Sequence, residues 1–521
     1  MRKVLLGLGA AVALLGATAC GARSHADPTR RAAGTVPASA LTRAAPSAPT
    51  TLTVGPASVG GPVPGGFLGL SLDLTSLERY AGDDPGKLDT PFVHLVQAIS
   101  GGAPPLLRVG GDSTDWSWWQ IGHQPPPPGI RYTLTPRWMS VAHALAQTLH
   151  GKLILGINLE ADSTRLASAE ADAMVSRIGA PLISALEIGN EPELYGSFPW
   201  YKDASGHHVY GRPPSYDESD FYADFARIAR VMPGSVRVAG PDSGGPHWLP
   251  TLGTFLAQEP RVGLAAIHAY PLKHCTHSKV ITPVDLLAPS SSAGFAQLVS
   301  PFIAAAHAHG RPVRIDEMNG ISCGGVKGVS DTYTSTLWVL NTLFELLRAG
   351  VDGVNVHTVP GTLQEVLGAT ELHGRWSVTV HPEYYGLMMF AQAAPAGARV
   401  LRLTWKPPAG VDAWATRATD GRVRIVLIND RTVSAQTLRV RAPAAGPASV
   451  ERLRAPGWGA TSGVTLGGQS FGAATTTGML QGTSTLSTLR PVAGQLVVRL
   501  PPASAALLTL PPTAAGSAVA P

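Results

Sequence analysis

The chain has 521 residues, 44% of them apolar and 14% charged, with 58 Gly, 45 Pro and only three Cys. A sizeable core is available, while a disulfide-dense scaffold and a Cys-rich zinc module are excluded. The formal charge of +5 is small for the length and comes without any Lys/Arg run, so nothing points to nucleic acid as a partner.

In chain order the first element is an export signal. Arg2 and Lys3 precede an apolar stretch over residues 4–16, too short to span a bilayer but long enough for the apolar region of a signal peptide. It ends Ala17-Thr18-Ala19-Cys20, which reads as an A-x-A cleavage site and also as an imperfect lipobox. Residues 1–19 are therefore expected to be removed and Cys20 to be lipidated, with plain secretion as the alternative; either way the protein is an exported one, at the cell envelope or beyond it. Residues 20–50, rich in Ala, Pro, Ser and Thr, lack periodicity and read as a disordered tether. No second apolar stretch is long enough to span a membrane.

Between residues 63 and 395 eight short apolar runs follow, at 67–72, 106–110, 153–158, 183–189, 236–240, 264–269, 313–317 and 353–357. Helical patterns separate them, among them 136–150 and 331–348, the second with Ser330-Asp331 as capping chemistry. Eight such units predict a (β/α)8 barrel with its catalytic groups at the carboxyl ends of the strands. A doubly wound open sheet is the alternative, but no dinucleotide-type glycine fingerprint follows the first run. From about residue 396 to 521 the pattern changes to short alternating strands, such as 423–427, 437–440 and 496–500, which predict a β-sandwich.

Two strand ends carry chemistry. Leu186-Glu187-Ile188-Gly189-Asn190-Glu191-Pro192 closes the fourth run and Val313-Arg314-Ile315-Asp316-Glu317-Met318-Asn319 the seventh. On opposite sides of a barrel mouth, Glu191 and Glu317 can face each other across a sugar; in retaining glycosidases two carboxyls about 5–5.5 Å apart act as acid/base and nucleophile. Asn190 would offer its amide to the sugar 2-hydroxyl. Taken singly, each segment reads equally well as a turn or a solvated rim. Strict alternation admits only one of Asn190 and Glu191 to the mouth, so both can serve only where the strand bends. Asp316 is the rival nucleophile, but alternation turns it away from Glu317 and into structural hydrogen bonds.

These segments, with Phe67-Leu68-Gly69-Leu70-Ser71, Leu107-Arg108-Val109-Gly110-Gly111-Asp112, Gly156-Ile157-Asn158, Ile267-His268-Ala269-Tyr270 and Pro382-Glu383-Tyr384-Tyr385-Gly386, resemble glycoside hydrolase family 79, the heparanase-like and β-glucuronidase family of clan A. The resemblance runs from about residue 52 to 511. It implies a retaining reaction without a cofactor, Glu191 as acid/base, Glu317 as nucleophile, Tyr270 beside the nucleophile, and a strand at residues 51–62 that joins the sandwich.

Around the pair, Arg108 is expected to orient Glu317, since a buried cation needs a carboxylate. His268 reads as a substrate contact or a core histidine, and Ser71, Asp73 and Asp112 as contacts to sugar hydroxyls or as caps. Trp116, Trp118 and Trp119 would stack on a sugar or pack a loop. Where the family holds a uronate carboxylate, Tyr384 matches one binding tyrosine, while Ser322 stands in place of the other and Cys323 replaces a glycine; the amides of Cys323 and Gly324 remain able to bind an anion. Cys275 and Cys323 follow the sixth and seventh runs and, in an oxidising compartment, are expected to pair; His274 beside Cys275 is too little for a metal site. The expected function is retaining hydrolysis of β-glycosides, glucuronides first. The alternatives are a neutral-sugar enzyme of the β-xylosidase or β-glucosidase type and a non-catalytic, glycan-binding surface lipoprotein. The expected partner is a carbohydrate, with membrane contact only through a lipid on Cys20.

Overall fold

The computed structural model describes residues 50–512 apart from 246, 277, 278, 444 and 445; the signal peptide, Cys20 and most of the tether lie outside the described residues. No described helix is long and apolar enough to cross a membrane.

The chain begins with a long strand, β1 (Thr50–Pro62), and then builds the barrel from β2 (Leu68–Asp73), β3 (Leu106–Gly110), β4 (Lys152–Ile157), β5 (Ile183–Ile188), β6 (Val238–Ser243), β7 (Val262–His268), β8 (Val313–Met318) and β9 (Gly353–His357). These eight parallel strands close on one another in sequence order, β9 pairing with β2. Both faces of each strand are covered, which is why the sequence shows continuous apolar runs rather than alternation. The expected barrel is borne out. One run is displaced: the fifth, expected at 236–240, is β6 (Val238–Ser243), which continues through Pro241 with a register shift at Asp242. The helix expected to start at Ser330-Asp331 starts at Tyr333 instead, and the Asp331 carboxylate accepts the Gly328 N–H (2.6 Å).

After the last barrel helix, Pro382–Ala393, come β10 (Arg399–Thr404), β11 (Val411–Arg417), β12 (Val423–Asn429), β13 (Gln436–Arg441), β14 (Ala448–Arg454), β15 (Thr465–Leu466), β16 (Ser487–Leu489), β17 (Leu496–Leu500) and β18 (Ser504–Leu510). With β1 they form one ten-stranded, folded-over sheet in the order β15-β14-β18-β12-β11-β10-β1-β13-β17, β16 pairing with β14. Leu52, Leu401, Ile425, Leu438, Val498 and Leu508 pack between its two halves, giving the expected sandwich. Trp414, Val426, Ile428 and Leu507 point the other way and join the barrel's apolar core. One half of the sandwich is thus seated on the barrel and the other faces solvent.

Candidate active site

Arg108, at the centre of β3, is fully buried and ties four strand ends together. Nη1 donates to Glu317 Oε2 (2.6 Å) and Ser71 Oγ (3.2 Å). Nη2 donates to Glu187 Oε1 (2.6 Å), Asn190 Oδ1 (2.9 Å) and Asp242 Oδ2 (3.2 Å), and Nε donates to Glu187 Oε1 (2.9 Å). A planar fork suits this work because one rigid group reaches several acceptors at once. Glu317 also accepts the Tyr270 hydroxyl on Oε1 (2.8 Å). Burial alone would raise the Glu317 carboxyl; His357, His268, Arg108 and the Tyr270 hydroxyl outweigh it and hold the group well below the usual carboxylate range. It is an ionised carboxylate with one edge open to the mouth.

The bend needed to present both Asn190 and Glu191 exists. After β5 the backbone turns left-handed at Gly189 (φ 83°) and again at Glu191 (φ 46°), a conformation costing a side-chain-bearing residue about 1–2 kcal/mol. Two contacts hold it. The Glu191 N–H donates to the Asp242 carbonyl (2.9 Å), and the Asn190 N–H donates to Asp115 Oδ2 (3.0 Å). Asp115 accepts three further bonds, from the Tyr195 hydroxyl (2.6 Å) and from the Leu159 and Glu160 N–H groups (2.9 and 3.1 Å). Asn190 Nδ2 donates to Asp112 Oδ1 (3.2 Å); with Oδ1 held by Arg108, the amide orientation is fixed and its second N–H is left for a ligand.

Beneath the pair lies a layer of charge in which Arg108, His268 and Asp316 are joined by two residues to which the sequence assigned no role, Glu187 and Asp242. Glu187, Asp242, Asp316, Arg108 and His268 are all fully buried. Burial opposes ionisation of Glu187, but Arg108 wins and keeps it low. Burial and the Glu187 charge push Asp242 up to about 8 despite His268 and Arg108. Asp316 does turn away from Glu317: no N–H or hydroxyl donor reaches its oxygens among the described residues, and its side chain hydrogen-bonds to Glu187 instead. Burial, Glu187 and Asp242 raise it well above the normal range, so it is a neutral acid.

Two residues expected at the sugar sit elsewhere. His268 does not line the mouth, being fully buried; Nδ1 lies 3.2 Å from Glu191 Oε1 and Nε2 lies 3.0 Å from Asp242 Oδ1. Burial would strip its proton, but Asp242, Glu317 and Glu191 outweigh that and keep it imidazolium. Tyr384 is also removed from the mouth. It is fully buried, donates to the Leu95 carbonyl (2.8 Å) and packs edge-on against Phe471, because the ring leans sideways toward the neighbouring helix instead of up toward the strand ends.

Asp112 is open to solvent at the mouth, yet the walls around it, then Glu191, Glu317 and Asp73, push it up to about 7. Enclosure likewise raises Asp73, which faces Glu317, Arg108 and His357. Trp118 is buried, and cations cover the rings of Trp116 (Arg131, 4.1 Å) and Trp119 (Arg177, 4.8 Å). A disulfide joins Cys275 to Cys323 and sets Gly324 (φ 82°) at the rim. Glu187, Asp242 and His268 approach within 4.8 Å of one another, as do Glu191, His268 and Glu317, the spacing of a metal site; in the first trio the Arg108 guanidinium already supplies the cation. Glu193, beside Glu191, accepts the Gly244 N–H (2.8 Å) and is pushed up to about 7 by enclosure and the Glu191 charge.

Residues 413–507 match the family model described as the glycosyl hydrolase family 79 C-terminal beta domain. No curated protein sequence matches the chain. Among solved structures it is similar to a 4-O-α-L-rhamnosyl-β-D-glucuronidase from Fusarium oxysporum 12S (TM-score 0.69, 20% identity, covering 88% of this chain and 100% of that one). It is also similar to the family 51 arabinofuranosidase (0.61, 15%, 88% and 100%) and the family 39 enzyme (0.54, 18%, 92% and 100%) of Xanthomonas axonopodis pv. citri. At these identities the likeness is one of fold. The resemblance to glycoside hydrolase family 79 is thus borne out: the chain carries that family's C-terminal domain on a barrel of the fold these glycosidases share.

Proposed function

We propose that the protein is a retaining β-glycosidase acting first on β-glucuronides. One observation carries the reaction type: carboxylate oxygens of Glu191 and Glu317 lie within 4.8 Å of each other, too close for a water between base and sugar and in keeping with double displacement. In this reading Glu317, kept ionised by Arg108 and Tyr270, attacks the anomeric carbon. Glu191 protonates the leaving oxygen and then takes a proton from the incoming water. Asn190, its amide fixed by Arg108 and Asp112, donates to the 2-hydroxyl as charge develops on the ring.

The uronate preference is supported by the glucuronidase likeness and by the rim. Cys323, Gly324 and Gly325 have consecutive left-handed φ angles of 57°, 82° and 82°. Among the described residues the Cys323 and Gly324 N–H groups donate to no acceptor, so the loop offers two amides to an anion. The burial of Tyr384 favours the second reading, a neutral-sugar enzyme. Aryl β-glycosides that differ only at C5 (carboxylate, hydroxymethyl or hydrogen) separate the two, with NMR of the first-formed anomer. Preference for the glucuronide with retained β product is expected. Initial α product would sink the retaining mechanism, and preference for the glucoside or xyloside would sink the uronate assignment.

A further inference from the structure

Charge is divided unevenly along the chain. Residues 50–395 carry 21 Lys and Arg against 30 Asp and Glu, whereas residues 396–512 carry 13, all but Lys406 arginine, against 4. The barrel is therefore net negative by nine and the sandwich net positive by nine.

Part of that excess is gathered on one face. In the half-sheet turned away from the barrel, β10-β1-β13-β17, the pairing sets Thr53 beside both Thr404 and Arg441, Thr51 beside Arg439, and Arg439 beside Val497. Alternation then puts Arg402, Arg439, Arg441 and Arg499 on the same side, and all four are exposed, while Leu52, Leu438, Val440 and Val498 of the opposite side fill the sandwich core. None of the four strands contains an Asp or Glu. Among the described residues the domain's ion pairs are those of Asp420 with Arg422 and Arg424, so the four exposed arginines have no carboxylate of their own. Arg441 rests on a neutral group, the side-chain oxygen of Gln495 when that amide is turned toward it (2.8 and 2.9 Å).

Unpaired arginines held on a rigid sheet are suited to bidentate capture of carboxylate or sulfate, and positions two apart on a strand lie about 7 Å apart, so a linear polyanion can be followed from one to the next. The four strands carry no aromatic side chain to stack on bases and turn no Trp, Phe or Leu fully outward to enter lipid. We propose that this face binds an acidic polysaccharide, a glycan bearing carboxylate or sulfate groups, and holds it while the barrel works on it. The choice of a glycan over other polyanions rests on the reading of the barrel as a glycosidase.

The test uses the full chain and its retention on immobilised heparin and hyaluronan, with neutral dextran, duplex DNA and phosphatidylglycerol vesicles alongside. Salt-sensitive binding to at least one of the two acidic glycans and none to dextran is expected. The R439Q/R441Q double variant should bind at least tenfold more weakly while hydrolysing a small aryl glycoside at the wild-type rate, which shows that it is folded. R402Q/R499Q, on the flanking strands, is the second reading should the first variant fail to fold. Undiminished retention of folded variants would overturn the site. Binding to DNA or vesicles as tight as to the glycans, or no glycan binding by the wild type, would overturn the ligand. Loss of the hydrolytic reading, by contrast, would appear as a Glu317→Gln variant that still turns over.

Discussion

Glu383 offers a prediction that runs against the usual effect of altering a buried residue. It sits on the first turn of the last barrel helix, 3% exposed. Oε2 accepts from Asn319 Nδ2 (3.2 Å), and Oε1 has no partner among the described residues. Burial, opposed only by that one hydrogen bond, pushes its pKa up from 4.5 to about 8. Between those values the folded protein keeps a proton that the unfolded chain releases. The stability this proton confers is complete below the unfolded value and declines as pH rises toward the folded one, at about 1.4 kcal/mol per pH unit. The Glu383→Gln variant is neutral at every pH and lacks this decline. Relative to wild type it should gain about 3 kcal/mol of unfolding free energy between about pH 5 and about pH 7.5. A constant offset of about 1 kcal/mol from the amide's additional N–H cancels in the difference. Urea unfolding of both proteins at the two pH values measures it. A gap between variant and wild type that does not change with pH would refute the reasoning, because it would mean that Glu383 is already ionised in the folded protein.

Glu191→Ala should slow substrates with poor leaving groups far more than activated aryl glycosides, since a good leaving group needs little protonation; equal losses on both would count against its role as the acid, and a leaving-group series decides. Tyr384→Phe removes a bond to a neutral carbonyl and should cost about 1 kcal/mol of stability while reducing glucuronide and glucoside turnover alike; a selective loss on the glucuronide would restore the tyrosine to the pocket. Asp115→Ala strands four donors and should destabilise by roughly 3–5 kcal/mol. In whatever fraction stays folded kcat should fall more than KM rises, because the Asn190–Glu191 bend loses its tether; unchanged kcat would show that the bend holds itself.

The barrel was legible because strands covered on both faces leave uninterrupted apolar runs, and the reactive pair was legible because Asn190-Glu191 and Glu317 stand where such runs stop. The second layer was legible only in part: alternation turned Asp316 inward and the need of a buried cation for a carboxylate paired Arg108 with Glu317, but Glu187 lies inside a run that reads as strand, and its partner Arg108 is far away in sequence, so only closure of the barrel brings those charges together. Asp242 escaped for a local reason: Pro241 reads as a stop, and the residue that follows it reads as loop. Tyr384 was misplaced because its position on the chain fixes which helix carries it but not the direction in which the ring leans.

The sheet order has a consequence for how the molecule can be cut or assembled. β13 and β17 reach the rest of their sheet only through β1, which enters the fold more than 300 residues before them. The earliest segment of the folded chain is therefore the clasp of its last domain. Removal of residues 50–62 would detach a two-strand flap that carries three of the four exposed arginines, and expression of the later residues alone would leave an open seam between β10 and β13. Joining ends so distant in sequence is entropically slow. The sandwich should consequently close last, on a barrel already formed, and the later residues expressed alone should not yield an independent module.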